Sequence, residues 1–498
     1  MKRRQFIKTT SLAIAGASFP ASSAFFRYAR RKKPNIIFIL ADDLGYGELG
    51  CYGQQKIRTP NIDRMAAEGM RFTQHYSGSP VCAPSRCALM TGKHTGHAYI
   101  RGNDEMTERG DVWHDPNIEG QRPLLPGTET IGRMMQRAGY VTAAIGKWGL
   151  GGPNDSGHPN QQGFDFWYGY LCQRLAHNYY PAHLWRNSQK EILEGNSYFF
   201  PHQPLPADRD PSDPESYKIY VGRQYSMDLL AREALSFIQA NRDKPFFLYL
   251  PFTIPHLALQ VPEDALAEYE GKFPETPYLG GSENGYLPNR TPHATYAAMI
   301  TRLDREVGRI LDLLKVLQLD ENTLIFFSSD NGAAWPHGGA DPVFFNSNGG
   351  LKNYKGSVYE GGIRVPLIAR WKGKIKPGTI SNHISAFWDF YPTLAEIIGA
   401  KVPADIDGIS LLPTLLGKPQ RKHDFLYWEF QGQQAIRIDR WKAVRLGPDQ
   451  PVELYDLESD PGEKNNVANQ FPDKVEEMIN LLKSARTESE LFPLSKSQ

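Results

Sequence analysis

The sequence predicts an α/β fold: a large, mostly parallel sheet sandwiched by helices, followed by a smaller antiparallel sheet with one helix. Two observations carry this expectation. Short, continuously apolar runs alternate with helical periodicity through about residue 400, the pattern of parallel strands buried on both faces. After Pro419 the text changes to short alternating segments, the pattern of strands with one face on a core.

Taken in order, the N-terminal M-K-R-R-Q-F-I-K has the paired arginines Arg3-Arg4, then a mildly apolar stretch from Leu12 to Phe19 and small residues at Ser22 and Ala24. It resembles a twin-arginine export signal cleaved after Ala24, which predicts a periplasmic or secreted protein. Residues 1–24 hold four cations (Lys2, Arg3, Arg4, Lys8) and no acid, so their removal takes the formal charge from +1 to −3. That balance argues against nucleic acid as a partner. No apolar run reaches 18 residues, so no membrane span is expected. With 498 residues and 40% hydrophobic content the chain exceeds one ordinary domain. The expected division is a signal at 1–24, a catalytic domain at 34–418 and a C-terminal subdomain at 419–498.

Asn35 to Ala41 (N-I-I-F-I-L-A) reads as a buried strand running into Asp42-Asp43. Thr59-Pro60 opens a helix that closes at Gly69. Thr128 to Ala138 reads as a helix and Tyr140 to Ile145 as a strand ending at Gly146-Lys147. Residues 151–220, rich in Gly, Pro, Asn and aromatics, read as long loops. A helix from Gln224 to Asn241 leads into the strand Phe246 to Phe252, with His256 beyond it. Thr295 to Leu317 carries one apolar stripe and is the longest expected helix; Leu324 to Ser328 is a strand ending in Asp330-Asn331. Phe425–Phe430, Gln434–Ile438, Lys442–Arg445 and Glu453–Asp456 are the expected small antiparallel sheet, and Asp473 to Ser484 the final helix.

The strand ends hold the chemistry. In an open α/β sheet sites form at the carboxyl ends of the strands, and these strands end in Asp42-Asp43, Lys147, His256 and Asp330-Asn331. Three aspartates and an asparagine are hard oxygen ligands, which select Ca²⁺ or Mg²⁺ over Zn²⁺; carboxylates from separate loops suit the looser calcium shell, placing calcium ahead of magnesium. Between the first two strands stands V-C-A-P-S-R-C-A-L-M-T-G, from Val81 to Gly92. Pro84 stiffens the turn after Cys82, and Arg86 lies one helical turn further on if a helix begins near Ser85. A forked, permanent cation beside a sulfur nucleophile suits an anionic tetrahedral substrate. Cys51, Cys87 and Cys172 then remain, an odd number that does not suit a disulfide framework.

This segment resembles the sulfatase signature C-x-P-S-R-x-x-L-x-T-G at Cys82, Pro84, Ser85, Arg86, Leu89, Thr91 and Gly92. The likeness extends from about Pro34 to the C-terminal helix and implies the alkaline-phosphatase-like fold. It also implies that Cys82 is oxidised by a maturation enzyme to formylglycine, whose hydrated aldehyde attacks sulfur; the twin-arginine route carries folded protein, so this can be completed before export. G-Y-V-T-A-A-I-G-K-W, from Gly139 to Trp148, matches the second sulfatase signature, N-Y-K-G-S contains Lys355, and T-I-P-H contains His256. The resemblance implies Asp42, Asp43, Asp330 and Asn331 as calcium ligands, completed by modified Cys82. It further implies Arg86 and Lys147 on the nucleophile and sulfate, Lys355 on the sulfate oxygens, and His256 as proton donor to the departing alcohol. An alkoxide leaving group needs such a donor near neutral pH.

One position departs from the pattern. Most sulfatases have a histidine two residues after the signature lysine, where this chain has Gly149 in K-W-G-L-G. His177 and His97 are the candidate substitutes, or contacts to a sugar. The aromatic loops (Trp167, Tyr168, Tyr170, Tyr179, Tyr180, Trp185) suit stacking on sugar rings or pinning of the loops themselves. The expected substrate is thus a sulfated carbohydrate outside the cytoplasm. A phosphate- or phosphonate-ester hydrolase and a glycan-binding pseudosulfatase, the latter motivated by Gly149, are the alternatives.

Overall fold

In the computed structural model the described residues are 33–494, apart from 107, 109–114, 116 and 282–284; the expected export signal lies outside them. The first strand, β1 (Asn35–Asp42), sits in the middle of an eleven-stranded sheet. The other strands are β2 (Met70–Tyr76), β3 (Val141–Lys147), β4 (Phe166–Tyr170), β5 (His183–Arg186), β6 (Gln189–Ile192) and β7 (Phe246–Pro255). They are followed by β8 (Thr323–Ser329), β9 (Arg364–Arg370), β10 (Thr379–Ser381) and β11 (Ser385–Ala386). The order is β10-β2-β9-β8-β1-β7-β3-β4-β5-β6, with β11 also paired to β2. The block β8-β1-β7-β3-β4 is parallel throughout. Antiparallel pairing appears only toward the margins, at β8–β9, β2–β9, β4–β5 and β5–β6 among the described residues.

Why β1 is apolar throughout is visible in its packing. Ile37, Ile39 and Ala41 join a core with α4 (Ser226–Ala240) and the long helix Pro292–Val316. Ile36, Phe38 and Leu40 face the other way, into a core with α2 (Cys82–Thr91), α3 (Ile131–Arg137) and the helix Phe390–Ile398. The period-two alternation therefore buries both sets, each large side chain contributing about 1.5–3 kcal/mol. The second sheet, β12 (Leu426–Phe430), β13 (Gln433–Ile438), β14 (Trp441–Arg445) and β15 (Glu453–Asp456), is antiparallel. One face covers Tyr76, Val81 and Ala88, and the other packs Met478 and Leu482 of the last helix, Pro472–Ser484. No helix among the described residues is long and apolar enough to cross a membrane.

Several expectations need correction. Residues 151–220 are not only loops, because β4, β5 and β6 extend the sheet there; Gly169 and short strand lengths hid their period. β2 and β9, absent from the sequence reading, carry charged or polar residues at intermediate burial. Thr59 sits at the start of its helix, Pro60–Ala67, without capping it; its hydroxyl accepts from Gly50 N instead (2.8 Å).

Between β7, β3 and β4 the backbones approach so closely that only glycine fits. A Cβ on Gly146 (φ +140°) would lie 1.8 Å from the Pro251 carbonyl oxygen, and one on Gly169 (φ +145°) 1.9 Å from that of Gly146. Gly146→Ala thus adds backbone strain to a clash beside Lys147. We expect it to destabilise the fold by roughly 3 kcal/mol or more, seen as a lowered urea midpoint; an unaltered midpoint would contradict the packing described.

Candidate active site

The strands β1, β7, β8 and β3 end side by side. Register pairs Asp42 with Pro255 on one flank and Ala41 with Ser329 on the other, so the residues after each strand converge on one edge. At this edge Asp42, Asp43, Cys82 and His256 offer ligand atoms that all lie within 4.8 Å of one another. Asp43 adopts a left-handed conformation (φ +65°), an expensive one for a residue with a Cβ. Its backbone N–H is held by Asp330 Oδ1 at 3.1 Å.

Arg86 ties three of these ends together. Its Nε and Nη2 donate to Asp330 Oδ2 at 3.1 and 2.8 Å, Nη2 lies 3.3 Å from Asp42 Oδ2, and Nη1 donates to the Lys147 carbonyl. Lys147 Nζ donates to Asp42 Oδ2 at 2.7 Å and lies 3.7 Å from Cys82 Sγ. Lys355 Nζ donates to Asp43 at 2.8 Å, and Asn331 Nδ2 donates to Asp43 Oδ1 at 2.8 Å. His256 Nδ1 faces the Leu257 carbonyl while Nε2 lies 3.6 Å from Asp43 Oδ2. The structure thus brings together Asp42, Asp43, Cys82, Arg86, Lys147, His256, Asp330, Asn331 and Lys355. Cys82 is the first residue of α2 rather than part of a turn before it. Since Val81 supplies no side-chain cap, the freed Ala83 N–H is taken by Asn103 Oδ1 at 2.8 Å.

The charges are almost wholly out of water: side chains of Asp42, Arg86 and Asp330 are 0% exposed, and Lys355, at 16%, marks the open side. Burial would push the Asp42 carboxyl up, but Lys147, His256 and Arg86 beside it hold it well below the usual carboxylate range. Asp43 is likewise held low against burial by Lys355 and His256. Burial, with the Asp42 charge, pushes Asp330 up against the pull of Arg86. Burial also pushes the Cys82 thiol up to about 12 despite Lys147 and Lys355. It pulls His256 down to about 3, helped by Lys355. Cys82 as a plain thiol is therefore protonated at neutral pH and poorly suited to thiolate chemistry.

The donor set fits a hard divalent cation. Carboxylate oxygens of Asp42 and Asp43 meet there with Cys82 and His256, Asp330 borders them in the grip of Arg86, and Asn331 Oδ1 is buried without a hydrogen-bond partner, as a carbonyl oxygen reserved for a cation would be.

His177 reaches this edge: its ring stacks on His256 (4.6 Å between centroids, 18° between planes), and its Nδ1 lies 3.0 Å from His202 Nε2. His97 does not, because its Nδ1 pairs with Asp407 Oδ1 at 2.8 Å and its ring stacks on His94. Gly149 (φ +79°) is crowded by Gln173, whose Cγ, Cδ and Nε2 lie 2.7–2.8 Å from where a Cβ would stand. Sequence reasoning missed Asn103, Gln173, His202 and Tyr286; they come from separate irregular segments and carry no motif. Trp167 and Tyr168 lie in strand β4 rather than in a loop and are fully buried, so neither offers a face to a sugar.

Replacing Arg86 by methionine would leave Asp42 and Asp330 buried without their shared cation. We expect a loss of about 3–5 kcal/mol in denaturant unfolding. The double variant Arg86→Met/Asp330→Asn should recover part of it; strict additivity would rule out the coupling.

Comparison with known proteins agrees with this geometry. Residues 34–400 match the sulfatase family, and residues 353–490 match the C-terminal region described as N-sulphoglucosamine sulphohydrolase, C-terminal. The N-acetylgalactosamine-6-O-sulfatase of Bacteroides thetaiotaomicron is 31% identical over 92% of this chain and 94% of its own. The human N-acetylgalactosamine-6-sulfatase is 32% identical over 82% of this chain and 71% of its own. The crystal structure of Ps i-CgsB in complex with k-i-k-neocarrahexaose is 28% identical with a TM-score of 0.72, covering 92% and 94% of the two chains. The chain belongs to the sulfatase family, sulfuric ester hydrolases built on the alkaline-phosphatase-like fold.

Proposed function

We infer that this protein is an exported, calcium-dependent sulfatase that removes sulfate from a carbohydrate, with residue 82 acting as formylglycine. The observation that carries the reading is the convergence of Cys82, three carboxylates, three cations and His256 at one buried strand edge. The sulfated-sugar substrate rests on the relatives named N-acetylgalactosamine-6-O-sulfatase and N-acetylgalactosamine-6-sulfatase and on the complex of Ps i-CgsB with k-i-k-neocarrahexaose. Export rests on the twin-arginine-like start, and the division at 34–418 and 419–498 on the change from parallel to antiparallel pairing.

In this reading Asp42, Asp43, Asp330 and Asn331 would hold the cation, which would supply positive charge for the sulfate and for the nucleophile's oxygen. Once oxidised and hydrated, residue 82 supplies an oxygen nucleophile where the thiol stays protonated. Lys147, already 3.7 Å from that side chain, orients it, and Arg86 fixes the backbone of Lys147 and both carboxylates behind it. Lys355 faces the open side and meets the sulfate oxygens, exchanging its bond to Asp43 for one to the substrate. His256 has Nδ1 fixed by a carbonyl, so Nε2 is the atom that carries a proton to the departing alcohol. The anionic ester raises the proton affinity of that imidazole on arrival.

Peptide mass spectrometry of protein made with a formylglycine-generating enzyme should find the aldehyde at position 82. Cys82→Ser should lose more than about 10³-fold in sulfate release, the scale expected when the nucleophile is removed. Sulfate release at the wild-type rate would refute the assignment, and faster cleavage of matched phosphate esters would favour a phosphohydrolase. Binding of sulfated glycans without any turnover by aldehyde-bearing protein would favour the pseudosulfatase reading motivated by Gly149.

The cation assignment has a readout apart from activity. Calcium at roughly 100 times its dissociation constant should add about 2.7 kcal/mol of stability, seen as a melting temperature above that in chelator. Asn331→Ala should diminish the rise, and identical melting with and without calcium would exclude the site.

A further inference from the structure

The open side of the site is bordered by an exposed indole. Among the described tryptophans Trp335 alone is largely exposed, at 52%. It is not loose: its Nε1 donates to the carbonyl of Lys355, and its ring edge packs on Gly356, where a Cβ would come within 2.7 Å of Cζ2. Gly356, with φ +81°, thus keeps the space the ring needs. Behind the indole an aromatic wall leads inward. His337 lies 5.6 Å from Trp335 and 5.5 Å from Tyr286, and Tyr286 in turn meets His177, His202 and His256.

Packed on one side by Gly356 and His337, Trp335 still leaves 52% of its surface in water beside a polar pocket. Its face suits the C–H face of a pyranose, as aromatic platforms join apolar contact with an open rim. Lys355 sets the spacing, since its side chain spans the gap between Asp43 and the carbonyl on which the indole rests. The indole therefore stands at the rim, at the backbone end of the lysine whose ammonium reaches Asp43, where a saccharide chain leading out of the pocket would pass. Resting on the sulfated-carbohydrate reading above, we propose that Trp335 stacks against the sugar next to the sulfated one and gives the enzyme a preference for oligosaccharides over the free sulfated monosaccharide.

The test compares wild type, Trp335→Ala and Trp335→Phe on N-acetylgalactosamine 6-sulfate, on a tetrasaccharide ending in it, and on 4-nitrophenyl sulfate. Wild type should favour the tetrasaccharide in kcat/KM, and Trp335→Ala should lower that preference roughly tenfold, with the loss in KM. Trp335→Phe should retain most of it, and thermal melting should show all three folded. An unchanged preference in Trp335→Ala, or equal losses on both saccharides, would overturn the proposal. Turnover of 4-nitrophenyl sulfate with none of either saccharide would overturn the carbohydrate reading itself, and this inference with it.

Discussion

The buried charge array around Arg86 is the constraint on which the site depends. Three carboxylates at 0–2% exposure would each cost several kcal/mol if left alone. They are tolerable because the Arg86 fork, Lys147 and Lys355 meet their oxygens at 2.7–3.3 Å. Such an array is unforgiving of register. A slip of one residue between β1 and β8 would turn Asp42 to the opposite face of the sheet and separate it from Arg86 and Lys147. The apolar residues of β1, locked into two cores, therefore do the positioning, and the charges exploit a place already fixed by packing.

That division explains what was legible in the sequence. Strands buried on both faces write themselves as unbroken apolar runs, so β1, β3, β7 and β8 were readable nearly to the residue, and with them the polar groups at their ends. The C-terminal strands were readable as short segments between turns, although both faces of their sheet are covered, one by Tyr76, Val81 and Ala88 and the other by the last helix. Marginal strands gave no such signal. β2 and β9 place Arg71, Gln74 and Arg364 among buried neighbours, and the sheet extension at β4 to β6 lies within a Gly- and aromatic-rich stretch without period. The two substitute histidines show the same limit. His97 stands closer in sequence to Cys82 than His177 does, yet turns to Asp407, whereas His177 arrives from a short 3-10 turn to stack on His256. Sequence distance carried no information about either.

Electrostatics also bears on how Cys82 behaves as a thiol. A catalytic thiolate is usually made by cations that outweigh burial. Here Lys147 and Lys355 are both present, but their charge is committed to Asp42 and Asp43, and burial still pushes the thiol up to about 12. In the proposed reading these surroundings suit an oxygen nucleophile next to a hard cation, with the carboxylates as its ligands and the lysines turned to an anionic substrate.

Gly149 can be judged in the same terms. The space that a side chain would enter from its left-handed backbone is filled by Gln173, which is 5% exposed. The Gln173 amide reaches Asn103 Oδ1 (3.4 Å), the atom that also accepts from Ala83 N beside residue 82, and its own Oε1 is buried without a partner. A carboxamide can donate or accept a hydrogen bond at this place, but it cannot take up a proton. The imidazoles at this edge are His256, His177 stacked on it, and His202 in contact with His177. Both His177 and His202 come from the stretch of 151–220 in which periodicity gives no signal.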